Sequence, residues 1–110
     1  MKRAVWDSAS GFADISILWG DARDLAPDLP EAEQVKLIED AVLSLLDDGL
    51  IYAYFAGWRD GPRASERDVE HLSRDRVKQY FADREDETPM IERFFWVGET
   101  ARGAEAWPPS

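Results

Sequence analysis

Residues 31–55 constrain the fold more than any other stretch, because a helical repeat is followed there by a glycine and an aromatic run. Apolar side chains recur at helical spacing on one face, at Val35, Ile38, Val42, Leu45 and Leu46. Asp28 and Glu31 have capping-box spacing, which predicts a helix start at Asp28 or Leu29. Gly49 supplies the left-handed conformation that ends many helices. The stretch therefore predicts a long amphipathic helix that stops just before a strand.

That strand is predicted over residues 50–55, where every side chain is apolar or aromatic. Successive side chains of a strand point to opposite faces of the sheet, so both faces of this strand are apolar. We therefore expect one face to be covered and the other to be only partly exposed. A second strand over residues 92–97 is predicted to pair with the first in the antiparallel sense. The two strands form a ribbon whose connection carries a helix at residues 74–84.

The N-terminal part is predicted to contribute one helix, which runs from about Ser8 or Ser10 to Trp19 after a short lead-in. Gly20 is its expected stop. Residues 20–30 are expected to connect it to the long helix with at most one helical turn.

Two capping signals mark the remaining helices. Ser73 is the predicted N-cap of the helix at 74–84, and Thr100 is the predicted N-cap of a short helix that stops at Pro108. We expect a single α+β domain over residues 1–110, with about four helices and a two-stranded antiparallel ribbon.

The charge distribution limits the partners of this chain. Its net charge is −10, from 23 acidic and 13 basic residues, which repels phosphate backbones unless the cations are clustered. Residues 4–57 contain eleven acids and only two bases, Arg23 and Lys36, whereas residues 58–78 contain six bases and five acids. Any anion-binding surface is therefore expected in the middle third of the chain.

Several classes of chemistry have no support in the sequence. The absence of cysteine excludes disulfides, thiolate catalysis and cysteine metal sites. His71, the only histidine, lies among Glu and Arg residues and is predicted to be a surface side chain. Asp47 and Asp48 end the long helix, where solvated carboxylates are common, and adjacent helical residues point in different directions. We expect no enzymatic activity, no metal site and no cofactor.

No apolar run approaches the roughly 18–20 residues that a membrane span needs. We therefore expect a cytoplasmic protein that does not bind membranes.

Packing and turn residues give the predicted elements a recognisable order. Val42, Leu45, Leu46, Gly49, Leu50 and Ile51 lead from the long helix into the first strand, Phe94, Phe95, Trp96 and Val97 form the second, and Thr100 and Gly103 follow. This layout resembles winged helix-turn-helix domains with a helix inserted in the wing. The resemblance implies DNA binding as the usual activity of the family.

Two features depart from that family. A helix-turn-helix needs a short helix and a tight turn before the recognition helix, and residues 20–30 are not expected to provide them. The helix in the recognition position also carries six carboxylates against Lys36 alone: Glu31, Glu33, Glu39, Asp40, Asp47 and Asp48. A helix that reads the major groove needs hydrogen-bond donors, so these carboxylates oppose DNA binding by the usual route.

Two functions compete on this basis. The first is a non-enzymatic protein-interaction module (an accessory, inhibitor or immunity-type protein) whose acidic face binds a basic partner. The alternative is a transcription regulator that contacts DNA through its arginine-bearing wing, as a homodimer. The residues predicted to bind a partner are Trp58, Arg59, Arg63, Arg67, Glu39 and Asp40.

Overall fold

The computed structural model describes residues 1–57, 69–83 and 94–107, which contain five helices and one three-stranded antiparallel sheet. The helices are α1 (Lys2–Ala9), α2 (Ile15–Leu25), α3 (Glu31–Asp47), α4 (Arg74–Asp83) and α5 (Ala101–Ala106). The strands are β1 (Ala13–Asp14), β2 (Ile51–Ala56) and β3 (Phe94–Glu99). The α+β class is confirmed, and the element order is compatible with a small winged-helix-like fold.

The sheet has β3 at its centre, in the order β1-β3-β2. Tyr54 of β2 lies opposite Trp96 of β3, which confirms the antiparallel pairing predicted for the two longer strands. Residues 92–93 of the predicted second strand lie outside the described residues. Strand β1 adds an edge beyond the predicted ribbon, with Ala13 opposite Val97. It was missed because two residues are too short to show an alternating pattern.

The prediction of one N-terminal helix was wrong, because the chain turns between α1 and α2. Phe12 adopts a left-handed φ of 60°, which breaks the helical path. The Asp14 side chain then accepts a hydrogen bond from the Ile17 N–H at 3.1 Å and caps α2. Gly20 lies inside α2 rather than at its end. Helix α2 therefore extends to Leu25, beyond the predicted end at Trp19, and only residues 26–30 connect it to α3.

Helix α3 forms as the central element, but it begins later than the capping-box spacing predicted. Pro30 is its N-cap, with no side-chain capping bond, and the Pro30 carbonyl accepts from the Glu33 and Gln34 N–H groups at 3.0 Å. The Gln34 side chain donates to the Ala26 carbonyl at 2.9 Å. This bond ties the start of α3 to the end of α2 and leaves Asp28 in the turn between them.

The end of α3 confirms the role predicted for Gly49, which has a φ of +72°. The Leu50 N–H donates to the Leu45 carbonyl, and the Gly49 N–H donates to the Leu46 carbonyl, both at 3.0 Å. These two bonds form a Schellman motif, which satisfies carbonyls that a helix end leaves unpaired. The motif directs the chain from α3 straight into β2.

We expect Gly49→Val to lower the free energy of unfolding by more than about 1 kcal/mol, because a β-branched residue is strained at a positive φ. The space around Gly49 is not the obstacle, since a Cβ atom there would lie 3.8 Å from Arg102 Cδ. Gly49→Asn is the matched control and should lose less stability, because asparagine tolerates this conformation. Urea unfolding measures both, and equal stability of Gly49→Val and the wild type would contradict the Schellman assignment.

The main core lies between the helices and one face of the sheet. Its largest fully buried side chains include Val5, Leu18, Ile38, Val42, Leu45, Val77, Phe95 and Val97. Helix α4 is capped as predicted, since the Ser73 hydroxyl oxygen accepts from the Arg76 N–H at 3.2 Å. Its Tyr80 ring stacks on Phe95 with centroids 4.7 Å apart, which joins α4 to the sheet.

The opposite face of the sheet is also buried, which is more burial than the strand pattern predicted. Tyr52, Tyr54 and Trp96 form a second apolar cluster there, with Tyr54 fully buried. His71 is exposed, as predicted, and its ring stacks on Tyr52 with centroids 4.9 Å apart. Burial raises the pKa of the Tyr54 phenol above its ordinary value, so Tyr54 is a neutral packing residue.

None of the helices in the described ranges is long and apolar enough to cross a membrane.

Candidate partner-binding surface

The predicted partner-binding residues fall into two groups. Trp58, Arg59, Arg63 and Arg67 lie outside the described residues. Glu39 and Asp40 both lie on α3, but adjacent helical residues point about 100° apart. The structure therefore separates these two carboxylates onto different surfaces of the helix.

Asp40 belongs to the outward face of α3, which we call the α3 stripe. Its residues recur at i, i+4, i+7, i+11 and i+14 and are exposed or half-buried: Glu33, Leu37, Asp40, Ser44 and Asp47. The opposite face of α3 is buried in the core through Ile38, Val42 and Leu45. Three of the five stripe residues are acids, so α3 presents a negative surface to solvent.

Basic residues of α3 and α4 contact the acids of α3. Lys36 Nζ lies 3.1 Å from Glu39 Oε1 and 3.4 Å from Asp40 Oδ1, and its pKa is raised, chiefly by the hydrogen bond to Glu39 and then by Asp40. Arg74 of α4 pairs with Asp47 at 3.0 Å. Exposed ion pairs of this kind are weakened by solvent screening, so they moderate the charge of α3 without fixing its side chains.

The two carboxylates at the end of α3 do not act as a pair. Asp47 contacts Arg74 of α4, whereas Asp48 accepts a hydrogen bond from Lys2 Nζ of α1 at 2.6 Å. Within residues 1–57, 69–83 and 94–107, no three His, Cys, Asp or Glu side chains are grouped so that they could hold a metal ion. The two acids instead connect α3 to its neighbouring helices at the surface.

Glu39 faces the other surface of interest, which we call the α3–α4 groove. It is an open depression of about 710 Å³ lined by Glu31, Ala32, Val35, Lys36, Glu39, Phe81 and Ala82. Its floor is apolar, with Val35 half-buried and Phe81 only 5% exposed. The Glu39 side chain is 17% exposed, against 65% for Lys36. The groove therefore combines an apolar floor with a half-buried carboxylate.

The sequence did not predict that residues of α4 line this groove. The sequence predicts an apolar face on α4 that includes Phe81, but nothing in it indicates that Phe81 and Ala82 lie beside the first half of α3. One pattern in the sequence does indicate the α3 side of the groove. Ala32, Val35 and Glu39 recur at i, i+3 and i+7 and form a row beside the core face of α3. That row shows a second semi-apolar face, although it does not show what lies next to it.

A smaller depression of about 380 Å³ lies near the N-terminus, where Leu25 is 57% exposed. Trp107 contributes to it half-buried, as an edge-on neighbour of Trp6 with ring centroids 5.1 Å apart. The Arg3 guanidinium lies 5.8 Å from the Trp107 ring. Trp107 thus attaches the C-terminal end of the described chain to α1.

No protein-family model matches this sequence, and no curated protein or solved structure is similar enough to count as a match.

Proposed function

We propose that this protein is a non-enzymatic, cytoplasmic interaction module that binds a basic partner protein through the outer surface of α3. The observation that carries this proposal is the α3 stripe, where Glu33, Asp40 and Asp47 face solvent from a helix whose other side is buried. A surface of one sign attracts an oppositely charged partner over distances of about a Debye length and raises the association rate.

The way α3 is held favours this role. Its buried face packs into the main core through Ile38, Val42 and Leu45, and its end is closed by the Schellman motif at Gly49. The α3 backbone that carries the acidic side chains is therefore already in position before a partner arrives. Less conformational freedom is then lost on binding, which favours affinity.

DNA binding remains the second candidate, because α2 and α3 are joined by only residues 26–30, an arrangement compatible with a helix-turn-helix. The charge of α3 opposes it, since Glu33 and Asp40 stand on the face that would approach phosphates. On this alternative the DNA contacts come from Arg59, Arg63 and Arg67, and the protein acts as a dimer.

Neutralising the α3 stripe tests the proposal. We expect Glu33→Gln with Asp40→Asn to weaken binding of a fluorescent poly-L-lysine peptide by about three- to tenfold at about 50 mM salt. The matched control is Asp7→Asn with Glu105→Gln, which removes the same charge from exposed positions on α1 and α5 and should change affinity less than about twofold. Fluorescence anisotropy gives both affinities. Equal weakening by the two pairs would show that only the net charge matters and would refute a binding role for α3.

The same protein is titrated with mixed-sequence duplex DNA at about 50 and about 200 mM salt. We expect no binding at either concentration. Salt-dependent DNA binding that disappears with Arg59→Ala and Arg63→Ala would contradict the interaction module and support the regulator.

A further inference from the structure

The α3–α4 groove has the two chemical features that a short peptide needs for docking. Its floor offers apolar contacts through Ala32, Val35 and Phe81, and its wall offers the carboxylate of Glu39. A carboxylate that is only 17% exposed interacts more strongly with a cation than a fully hydrated one, because less water screens it. A ligand with adjacent apolar and cationic groups would match both features.

Lys36 is the basic residue that now contacts Glu39, and it has a second acid within reach. Its Nζ lies 3.1 Å from Glu39 and 3.4 Å from Asp40, and its side chain is 65% exposed. Asp40 lies outside the groove, on the α3 stripe. Lys36 can therefore release Glu39 and stay paired with Asp40, so that an incoming cation replaces it without leaving a charge unpaired.

We infer that the α3–α4 groove binds a cationic and apolar segment of the partner protein, with an arginine taking over the Glu39 carboxylate from Lys36. This inference rests on the proposed function and adds the binding site and the chemistry of the segment. A guanidinium can form two parallel hydrogen bonds to Glu39, which the ammonium of Lys36 cannot. A neighbouring aliphatic side chain of the segment covers Val35 and Phe81 and excludes water from the pair.

The charge of the molecule favours this occupant over two others. A second copy of the chain carries the same net charge of −10 and is repelled as a whole. Duplex DNA would bring phosphates toward Glu31 and Glu39 and would leave the apolar floor unused. A basic segment with aliphatic residues uses both parts of the groove.

Two fluorescent, acetylated hexapeptides serve as probes, one alternating leucine with arginine and the other alternating serine with arginine. The two peptides have equal charge and differ only in their apolar content. We expect the leucine peptide to bind about tenfold more tightly by fluorescence anisotropy, because leucine buries apolar surface on the floor of the groove. Equal affinities would show that the apolar floor takes no part and would overturn the inference.

The exchange of Lys36 is tested by two lysine variants. Lys36→Gln and Lys2→Gln each lower the net charge of −10 by one further unit, and each removes a cation from a carboxylate on α3 or at its C-cap. We expect Lys36→Gln to strengthen binding of the leucine peptide by about threefold or more, because the competitor for Glu39 is gone. Lys2→Gln, whose partner Asp48 lies outside the groove, should leave the affinity nearly unchanged. Equal strengthening by both variants would overturn the inference.

Filling the groove tests the location. Ala32→Tyr places a ring at an exposed position of the groove wall, and Ala104→Tyr places the same ring at an exposed position of α5. We expect Ala32→Tyr to weaken the leucine peptide by about tenfold, and Ala104→Tyr to have no effect. Circular dichroism verifies that both variants are folded.

The outcomes separate this inference from the proposed function. If poly-L-lysine binds through the α3 stripe but the leucine peptide does not bind the wild type, the groove assignment fails and the interaction module stands. If neither probe binds, both fail. If sedimentation shows self-association that Ala32→Tyr abolishes, a second copy occupies the groove and the inference is overturned.

Discussion

Replacing Phe95 with alanine is expected to lower the free energy of unfolding by about 4 kcal/mol. Phe95 is 1% exposed and lies in the central strand β3. Its ring stacks on Tyr80 of α4, with centroids 4.7 Å apart and an interplanar angle of 7°, and meets the Phe81 ring edge-on at 5.5 Å. Removing this ring leaves a cavity between α4 and the sheet, which rigid neighbours fill only in part.

Urea unfolding followed by tryptophan fluorescence measures this loss. Phe95→Leu keeps most of the volume and should cost less than about 1.5 kcal/mol. Ile17→Ala, at a position that is 47% exposed, should change stability by less than about 0.5 kcal/mol. A Phe95→Ala protein within about 1 kcal/mol of the wild type would show that α4 does not pack on β3 as described.

Gly103→Ala is expected to cost about 3 kcal/mol, because the added methyl group has no room. A Cβ atom at Gly103 would overlap the backbone carbonyl oxygen of Leu50 and would come within 2.9 Å of Glu99 Cγ. The Leu50 carbonyl is not free to move, since it accepts a hydrogen bond from the Thr100 N–H at 3.0 Å. Helix α5 must therefore shift away from the start of β2.

Gly20→Ala is the matched control for this substitution. Gly20 lies inside α2, and apart from its chain neighbours and the adjacent helix backbone no atom lies within 4 Å of the position of an added Cβ. Alanine is a better helix former than glycine, so we expect Gly20→Ala to raise stability by about 0.5–1 kcal/mol. Thermal and urea unfolding compare the two variants. A Gly103→Ala protein as stable as Gly20→Ala would rule out the close contact between α5 and β2.

Features that depend on neighbours within a few residues were predicted well. Gly49 ends α3, Ser73 caps α4, and Thr100 caps α5 by accepting from the Gly103 N–H at 3.0 Å. Each depends on a local hydrogen bond or a local φ preference, which the residue type determines almost by itself.

The errors arose where distant contacts compete with a local pattern. Asp28 does not cap α3 as its spacing from Glu31 predicted, because the hydrogen bond from the Gln34 side chain to the Ala26 carbonyl holds the residues before α3 in a turn. The single helix predicted from Ser8 or Ser10 to Trp19 spans the turn at Phe12, and α1 and α2 both contribute apolar side chains to one core. A periodic pattern shows which side chains avoid water, and two helices that share a core can continue the same pattern.

For the candidate site, the sequence by itself determined that α3 is amphipathic, that it stops before Gly49, and that it carries five carboxylates with a sixth, Asp48, at its C-cap. Only the tertiary structure decided which surface each acid belongs to. It placed Phe81 of α4 beside Val35, which puts Glu39 in a groove, while Asp40 stays on the solvent-facing stripe. The physical reason is that local spacing determines which residues share a helix face, whereas long-range packing determines which element covers that face.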